Sequence, residues 1–314
     1  KKRKKMNNEE LELVTTCLNE RYNYPYFKDK YALDLLLYNL HKTQKISDIK
    51  QSKLSGLLNK KVVKNQLAQC GNGVLQTDNL LTGWSEDMHY FRVTLGEWGN
   101  IRKRKSKTDY NQVSRPQKNL VVQLNFGSEH DLVFYNQIGK EYRYEFANDC
   151  HPIHNKLNTL GWVRLDVDFE HNEVLIEEVQ SDWIRDVIRI KKWIDSEEKY
   201  FENRWFKKRS GAVNQYLNHM RSILKIWDEA LLSAAIWLIK NELGINTIWY
   251  HSFESSKHYK LMSCSLPPRS MYTDLPEKFM FTRVKETPGL ILRCEELKQL
   301  SRKGKNLEFY RLEL

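Results

Sequence analysis

Apolar and polar residues repeat with two different periods along the chain, and the change between them falls near Trp84. Before this point, apolar residues recur every three to four positions, as they do in amphipathic helices. The segments with this spacing are residues 11–18, 31–40 and 59–70. After it, aromatic and β-branched residues become frequent, which favours strands. We therefore predict a helical N-terminal region over residues 1–83 and a mixed α/β domain over residues 84–314.

The second part contains strands and helices in an order that predicts one sheet. Residues 159–169 alternate cleanly and join the apolar run 174–176 through a short polar connection, which predicts an antiparallel hairpin. One long helix is predicted over residues 213–243, and the crossover that it makes predicts a parallel strand at 245–250. Further strands are predicted at residues 89–95, 119–126, 278–284 and 307–313. The fold class that follows is α+β, with a mixed, mostly antiparallel sheet flanked by helices.

The apolar run 174–176 ends in a dense group of polar residues, where the next helix is expected to begin near Trp183. The group consists of Glu177, Glu178, Gln180, Ser181 and Asp182. Ligands of open α/β sheets bind outside the carboxyl ends of strands, and helix N-termini there offer free N–H groups to anions. The alternative is that Ser181 or Asp182 only caps the helix and that the glutamates are solvated. Strand alternation sends Glu177 and Glu178 to opposite faces, so one of them should point inward.

A second polar group follows the predicted parallel strand at 245–250. Ser252 and Ser255 suit helix capping and phosphate contact, and Tyr259 lies one helical turn beyond Ser255. We expect this group to lie on the same edge of the sheet as Glu177 and Glu178.

Three charged residues on the predicted hairpin share one face, because they alternate along the strand. They are Arg164, Asp166 and Asp168. They either line a cleft beside Glu178 or form the wet side of a one-sided antiparallel sheet.

The charge of the chain favours an acidic partner. Its 314 residues carry a formal net charge of +11, with a pI near 9.2, which points to nucleic acid ahead of a membrane surface. Five of the six residues from 102 to 107 are basic: Arg102, Lys103, Arg104, Lys105 and Lys107. This basic loop either contacts a phosphate backbone or is simply solvated. The sequence does not indicate a protein partner.

Other features bear on the compartment and on metals. No run of about 18 apolar residues is present, and no apolar segment follows the basic residues 1–5, so we expect a cytoplasmic chain without a membrane segment. Five cysteines without CxxC spacing suit reduced thiols. Cys150, His151 and His154 are too few to bind structural zinc, which needs four ligands. We therefore expect no metal, and a turn here that places one histidine near the site.

The segment from Glu177 to Trp183 carries a resemblance. Its sequence, EEVQSDW, resembles the EEIQSDW motif of an uncharacterised domain found in large polyvalent proteins of phages and conjugative elements. In that family an arginine-bearing strand precedes the motif, as Arg92 does here, and a tryptophan-containing helix leading into a strand follows it, as residues 227–250 do. The resemblance covers about residues 85–260. It implies a setting of phage or mobile-element conflict, including antiviral defence, and no particular reaction.

The order of predicted elements is similar to that of the GCN5-related N-acetyltransferases. This resemblance implies that the strand ending at Gln180 is splayed and carries the cofactor, that Glu178 is a general base, and that Tyr259 is a general acid. Gln180 and Ser181 would orient the substrate or donor. The remaining predicted binding residues are Asp182, Ser252, Ser255 and Arg92. Those enzymes hold the cofactor pyrophosphate with a glycine-rich loop, whereas residues 180–185 contain no glycine, so the donor stays open between an acyl-coenzyme A and NAD.

Three functions follow from these observations. The first is a divergent transferase with a GCN5-like core that acts on a nucleic acid or nucleotide-related substrate. The second is an ADP-ribosyltransferase, in which Arg92 holds the NAD phosphates and Glu178 stabilises an oxocarbenium-like state. The third is a non-catalytic nucleic-acid-binding component of a phage-defence or mobile-element system, whose binding weakens steeply with salt.

Overall fold

The computed structural model describes residues 6, 8–18, 22–40, 42–99, 112–116, 118–196, 198–202, 204–260, 268–304 and 306–314. The strands are β1 (Tyr22–Tyr26), β2 (Thr43–Lys45), β3 (Val74–Gln76), β4 (His89–Trp98), β5 (Asn119–Phe126), β6 (Thr159–Asp168), β7 (Glu173–Gln180), β8 (Thr247–His251), β9 (Thr282–Val284) and β10 (Phe309–Glu313). The α-helices are α1 (Asn8–Leu18), α2 (Lys30–Asn39), α3 (Ile46–Lys50), α4 (Lys61–Leu67), α5 (Thr77–Leu81), α6 (Ser128–Gln137), α7 (Asp182–Asp195), α8 (Trp205–Lys208), α9 (Ser210–His219), α10 (Trp227–Trp237), α11 (Phe253–Tyr259), α12 (Asp274–Lys278), α13 (Gly289–Leu292) and α14 (Lys298–Lys303).

The main sheet has eight strands in the order β1-β4-β5-β6-β7-β8-β10-β9, while β2 pairs with β3 separately. Neighbouring strands of the main sheet are antiparallel except for β7 and β8, which are parallel. The prediction of a mixed, mostly antiparallel sheet flanked by helices is therefore confirmed. The parallel pair arises because α7 to α10 carry the chain from one end of β7 back to the start of β8.

The two faces of the sheet differ in what covers them. One face packs on a large apolar core that includes Trp183 of α7 and Leu231 of α10. The opposite face carries a small apolar core built around Leu175, Trp249 and Phe309. Next to this small core lie the charged residues of β6, because Arg164, Asp166 and Asp168 alternate with residues of the large core.

The N-terminal region contributes a strand to the main sheet. β1 pairs with β4 at the sheet edge. Its tyrosines reach the opposite part of the chain, since Tyr24 donates a hydrogen bond to Ser233 (2.8 Å) and Tyr26 donates one to Glu229 (3.3 Å). Residues before Trp84 thus share the core of the main sheet and are not helical throughout.

The predicted single helix over residues 213–243 is wrong. α9 ends at His219, a 3₁₀ turn spans Ile223–Lys225, α10 begins at Trp227, and a π-helical turn occupies Leu238–Glu242. The break lies at Ile226, where φ is −130° and ψ is −9°, values outside the helical range. Helical spacing reports which side of a segment is buried, and α9 and α10 keep that spacing on either side of the break.

The predicted strand over residues 278–284 is shorter in the structure. Residues Asp274–Lys278 form α12, and only Thr282–Val284 pair in the sheet. Met280 between them has φ of 62°, which a strand does not accommodate.

None of the helices in the described part of the chain is both long enough and apolar enough to cross a lipid bilayer.

Candidate functional site

β7 contains a bulge at Glu177. Ile176 pairs with Leu165 and Glu178 pairs with Arg164, so β7 has one residue more than β6 between these two pairs. The extra residue shifts the alternation, and both glutamates lie on the face of the small apolar core. The expectation that Glu177 and Glu178 point to opposite faces is therefore wrong, because strict alternation holds only where a strand has no bulge.

Glu178 forms a buried ion pair with Arg164. The Nη2 atom of Arg164 lies 2.8 Å from Oε2 of Glu178, and the two side chains are 2% and 8% exposed. The same Nη2 donates to the carbonyl oxygen of Gln112 at 3.2 Å. Arg164 therefore lies beside Glu178, as the first of the two interpretations predicts, and not on a solvent-exposed face of the sheet.

Glu177 lies at the centre of a buried network. Its carboxylate accepts hydrogen bonds from the backbone N–H of Ser114 (3.0 Å) and from the Ser114 hydroxyl (2.9 Å). Nε2 of His251 lies 3.3 Å from Oε2 of Glu177, and the Lys260 ammonium donates to the carbonyl oxygen of Glu177. Nδ1 of His251 in turn lies 3.0 Å from the Ser255 hydroxyl. The predicted meeting of the two polar groups is thus seen for Glu177 and Ser255, which His251 connects.

Burial and neighbouring charges shift the pKa values of Glu177 and His251 in opposite directions. Burial alone would raise the pKa of Glu177, but the hydrogen bond and charge of His251, with the charges of Lys260 and Arg164, hold it well below its usual value. Burial lowers the pKa of His251, and Glu177 opposes this only in part. The network thus favours a charged Glu177 in a site closed to solvent.

These two pKa shifts predict that the protein loses stability as the pH falls. Glu177 has a folded pKa below its unfolded value of 4.5, so its stabilising contribution is complete above that pH and is lost as the pH falls through the folded pKa. His251 has a folded pKa below its unfolded value of 6.5, so protonation of the unfolded state begins to favour unfolding below pH 6.5. We expect the free energy of unfolding, measured by urea denaturation between pH 7 and pH 5, to fall less steeply in His251→Gln than in the wild type, because the variant lacks the imidazole that becomes protonated on unfolding and this range lies above the unfolded pKa of Glu177. Asp195→Asn, on an exposed pair with Lys191, should leave the slope unchanged, and equal slopes in all three proteins would contradict the network.

The segment 112–116 covers this polar face of the sheet. Arg115 donates two hydrogen bonds of 2.6 Å to the Asp166 carboxylate, and its Nη1 donates to the carbonyl oxygen of Leu290 (3.2 Å). Asp166 is fully buried. The charge of Asp166 is therefore neutralised by Arg115, which lies a few residues after the basic residues 102–107 in sequence.

Ser181 and Asp182 begin α7. The Ser181 hydroxyl accepts from the backbone N–H of Ile184 at 3.0 Å and donates to the carbonyl oxygen of Leu160, so Ser181 is the N-cap of α7. Asp182 is 2% exposed. Its carboxylate oxygens lie 2.6 Å from Nδ1 of His151, 2.8 Å from Nη2 of Arg185 and 3.3 Å from the side-chain amide nitrogen of Gln180. Ser181 thus has the predicted role of helix cap, while the carboxylate of Asp182 contacts three other side chains.

Gly161 allows β6 to approach the turn between β7 and α7. A Cβ atom at this position would lie 2.5 Å from the carbonyl oxygen of Gln180 and 2.7 Å from Cδ1 of Leu231. We expect Gly161→Ala to lower the free energy of unfolding by about 1–3 kcal/mol, because the Gln180 backbone cannot move aside without disturbing the sheet. Gly211→Ala is the matched control, since no atom lies within 4 Å of its added Cβ. Denaturant unfolding that finds the two variants equally stable would contradict the close approach.

The residues of the second polar group have mainly local partners. Ser252 accepts from the backbone N–H of Ser255 at 3.1 Å and caps α11. The ring of Tyr259 packs 5.8 Å from that of Phe309 and 6.4 Å from that of His251. Burial raises the pKa of Tyr259, and hydrogen bonds with Ser301 and Thr287 oppose the shift. The partners given for the Tyr259 hydroxyl are thus Ser301 and Thr287, and not Glu178.

The charge of Glu178 also acts on a different tyrosine, Tyr272. Burial raises the pKa of Tyr272, and the negative charge of Glu178 raises it further, while Ser256 of α11 opposes the shift. The sequence offered no signal for this interaction, because Tyr272 follows a proline-containing loop far from β7 in the chain.

One predicted binding residue lies away from this site. Arg92 is exposed on β4, and β5 and β6 separate β4 from β7, so three strand spacings place it about 14 Å from β7. The structure therefore does not bring Arg92 to Glu178, which the ADP-ribosyltransferase hypothesis needs. The five basic residues from Arg102 to Lys107 lie outside the described residues.

Other residues of this site were not predicted from the sequence. Ser114 and Arg115 follow the basic loop, and His251 ends β8, but none belongs to a recognisable motif. His151 had a weak signal, since a turn with one histidine near the site was expected there, and its contact with Asp182 agrees with that expectation.

Within the described ranges, no group of three or more histidine, cysteine, aspartate or glutamate side chains is arranged to hold a metal ion. No protein-family model matches the chain, and neither the curated proteins nor the solved structures contain a match to it.

Proposed function

We propose that the protein is a divergent acyl transferase with a GCN5-like core, acting on a nucleic acid or nucleotide-related acceptor at the carboxyl ends of β7 and β8. The observation that carries this proposal is that the pairing of these two parallel strands ends before β7 does. Their pairing covers Glu173 to Ile176 and Thr247 to Tyr250, and it ends where the bulge begins. β7 continues to Gln180, so its last residues form an edge that β8 does not cover.

An uncovered strand edge can bind an extended ligand. Backbone N–H and C=O groups on such an edge pair with a ligand as they would with another strand. In this chain the Lys260 ammonium already pairs with the Glu177 carbonyl oxygen, so the ligand would lie along residues 178–180. This arrangement supports the resemblance to the GCN5-related N-acetyltransferases, in which the splayed strand carries the cofactor.

The start of α7 limits the choice of donor. Helix N-termini bind phosphate well when their N–H groups are open and the neighbouring residues are small. Here the carboxylate of Asp182 occupies the first turn of α7, and no glycine lies between Gln180 and Arg185. We infer that the donor is recognised through its acyl-thioester part more than through a pyrophosphate.

The buried ion pairs have a structural role in this proposal. Glu178 is committed to Arg164, and Glu177 is committed to Ser114 and His251. A general base needs a lone pair that the substrate can reach. The two glutamates therefore shape the site and fix its charge, while proton transfer needs another group.

The experiment follows release of the thiol product. The protein is incubated with acetyl-coenzyme A or with S-acetyl-N-acetylcysteamine, a thioester without the pyrophosphate, together with adenosine, AMP, ATP, or short RNA and DNA. We expect acceptor-dependent thiol release with both thioesters. Their rates should lie within about tenfold of each other, because the pyrophosphate is expected to contribute less than the roughly 1.4 kcal/mol that corresponds to a factor of ten. Absence of thiol release with every acceptor would reject the proposal.

The same reactions, repeated with NAD in place of the thioester, distinguish the other two functions. Consumption of NAD with no thiol release would favour an ADP-ribosyltransferase. Salt-sensitive binding of RNA or DNA without either reaction would favour a non-catalytic nucleic-acid-binding protein, for which the net charge of +11 and the basic residues 102–107 argue. A setting in phage or mobile-element conflict remains a proposal based on the Glu177 to Trp183 motif.

A further inference from the structure

We propose that His151 is the proton acceptor of this site and that Asp182 holds its imidazole in the reactive tautomer. The proposal starts from the contact between them. Nδ1 of His151 lies 2.6 Å from Oδ2 of Asp182, a distance typical of a charge-assisted hydrogen bond. The two residues are 31 positions apart, so folding creates this pair.

The surroundings of Asp182 determine which nitrogen of His151 carries the hydrogen. Arg185 and Gln180 both donate to Oδ1 of Asp182, which leaves Oδ2 for the imidazole. An ionised carboxylate only accepts hydrogen bonds, so Nδ1 of His151 must donate. In the neutral ring the lone pair is then on Nε2, which is the atom that a general base uses.

Exposure separates His151 from the other titratable groups of the site. Its side chain is 29% exposed, whereas those of Asp182, Glu177 and His251 are between 0% and 2% exposed. A substrate can therefore reach His151 without displacing the buried ion pairs. This is the property that Glu178 lacks.

The turn that carries His151 is held on both sides. The carbonyl oxygen of Pro152 accepts from the Gln123 amide (2.9 Å), and the backbone N–H of His154 donates to the Thr159 hydroxyl (2.9 Å). The imidazole lies 5.4 Å from the ring of Trp162. A proton-transfer group needs a fixed position of this kind, because a small displacement lowers the rate of the reaction.

Two neighbours indicate what kind of substrate fits. The Arg185 side chain is 53% exposed, with Nη2 on Asp182 and Nε 3.9 Å from Asp186, so its Nη1 group can face an anion. Trp162 pairs directly with Gln180 across the strands, and its buried Nε1 has no acceptor among the described residues. An indole N–H without a partner is unfavourable in a folded protein. The substrate class that suits these groups is a hydroxyl or amine that neighbours a phosphate.

In the reaction, the substrate O–H or N–H gives its proton to Nε2 of His151 and keeps the bonding electron pair. That electron pair attacks the carbonyl carbon of the acyl thioester, and the thiolate leaves with the electrons of the C–S bond. The imidazolium then returns the proton to the thiolate, so His151 ends the cycle neutral. This role rests on the proposed acyl transfer, whereas the tautomer and the accessibility of the ring do not.

The tautomer is tested first, by long-range ¹H–¹⁵N correlation spectra of protein labelled at histidine nitrogens. We expect the neutral ring of His151 to carry its hydrogen on Nδ1 in the wild type, and on Nε2 in a large part of the population in Asp182→Ala. Asp186→Asn is the matched control, because Asp186 also lies on α7 beside Arg185 but has no contact with His151. A hydrogen on Nε2 in the wild type would overturn the inference whether or not the protein transfers acyl groups.

Turnover is tested second, with S-acetyl-N-acetylcysteamine and the best acceptor from the thiol-release experiment. His151→Asn keeps a hydrogen-bond donor to Asp182 but has no Nε2, so we expect an unchanged unfolding midpoint and a rate lower by about 10²–10⁴-fold. AMP should be a better acceptor than adenosine, and Arg185→Gln should reduce that difference. Full turnover in His151→Asn would show that the contact between His151 and Asp182 is only structural. Absence of turnover in the wild type would reject the proposed acyl transfer, and the tautomer measurement would then decide by itself whether Asp182 fixes the hydrogen on Nδ1 of His151.

Discussion

Replacing Arg164 with methionine is expected to lower the free energy of unfolding by about 3–5 kcal/mol. The change leaves the Glu178 carboxylate buried without its cation, since the Glu178 side chain is only 8% exposed. The paired change Arg164→Met with Glu178→Leu should recover most of this loss, because two apolar side chains can replace a buried ion pair at little cost. Urea denaturation of the two single variants and the double variant measures the coupling between the two residues.

The control for this prediction is Lys191→Met. Lys191 pairs with Asp195 at 2.9 Å, but both side chains are 60% exposed. Exposed pairs of this kind contribute about 0–1 kcal/mol. A loss below about 1 kcal/mol in Arg164→Met, similar to that of the control, would show that Glu178 is not held as described.

Replacing Arg115 with leucine should have an effect of similar size, about 3–5 kcal/mol, because Asp166 then loses its cation inside the protein. Arg115 also joins the segment 112–116 to Leu290 of α13. We therefore expect the variant to be cleaved faster by a protease at residues 112–116, in addition to its loss of stability. Mass spectrometry of the first cleavage products locates the cut.

The control for Arg115 is Lys118→Met, which removes a neighbouring cation from a half-exposed pair with Glu97. This variant should change stability by less than about 1 kcal/mol and leave the cleavage pattern unchanged. Equal behaviour of the two variants would contradict the role of Arg115 in covering the polar face of the sheet.

The positions of several strands could be predicted from the sequence because they depend on short-range patterns. The aliphatic and β-branched residues within 119–126 predict β5 with its observed bounds. The long helical stretch before residue 245 predicts the parallel strand β8, since a crossover returns the chain in the same direction. These patterns report burial, which the chain determines locally.

The bulge at Glu177 could not be predicted in the same way. A bulge inserts one residue without requiring a particular side chain, so the sequence of β7 looks like that of an ordinary strand. Its effect on the site is large, because it moves both glutamates to one face and ends the pairing with β8. Trp183 shows the opposite case, since it looks like part of a functional motif but is fully buried and donates its indole N–H to Tyr216.

The partners of the candidate residues come from distant parts of the chain. Ser114 and Glu177 are in contact although 63 positions separate them in the sequence, and His251 and Ser114 are in contact across 137 positions. His151 reaches Asp182 over 31 residues. Sequence spacing carries no information about such contacts, which explains why polar candidates could be found while their roles could not.

An acyl thioester that binds along the end of β7 left uncovered by β8 should change the backbone amide signals there. The measurement is a titration of ¹⁵N-labelled protein with acetyl-coenzyme A. We expect the largest signal changes at residues 178–183 and 251–256, which follow the last paired residues of β7 and β8. If neither segment changes at a saturating donor concentration, the thioester does not bind at this strand edge.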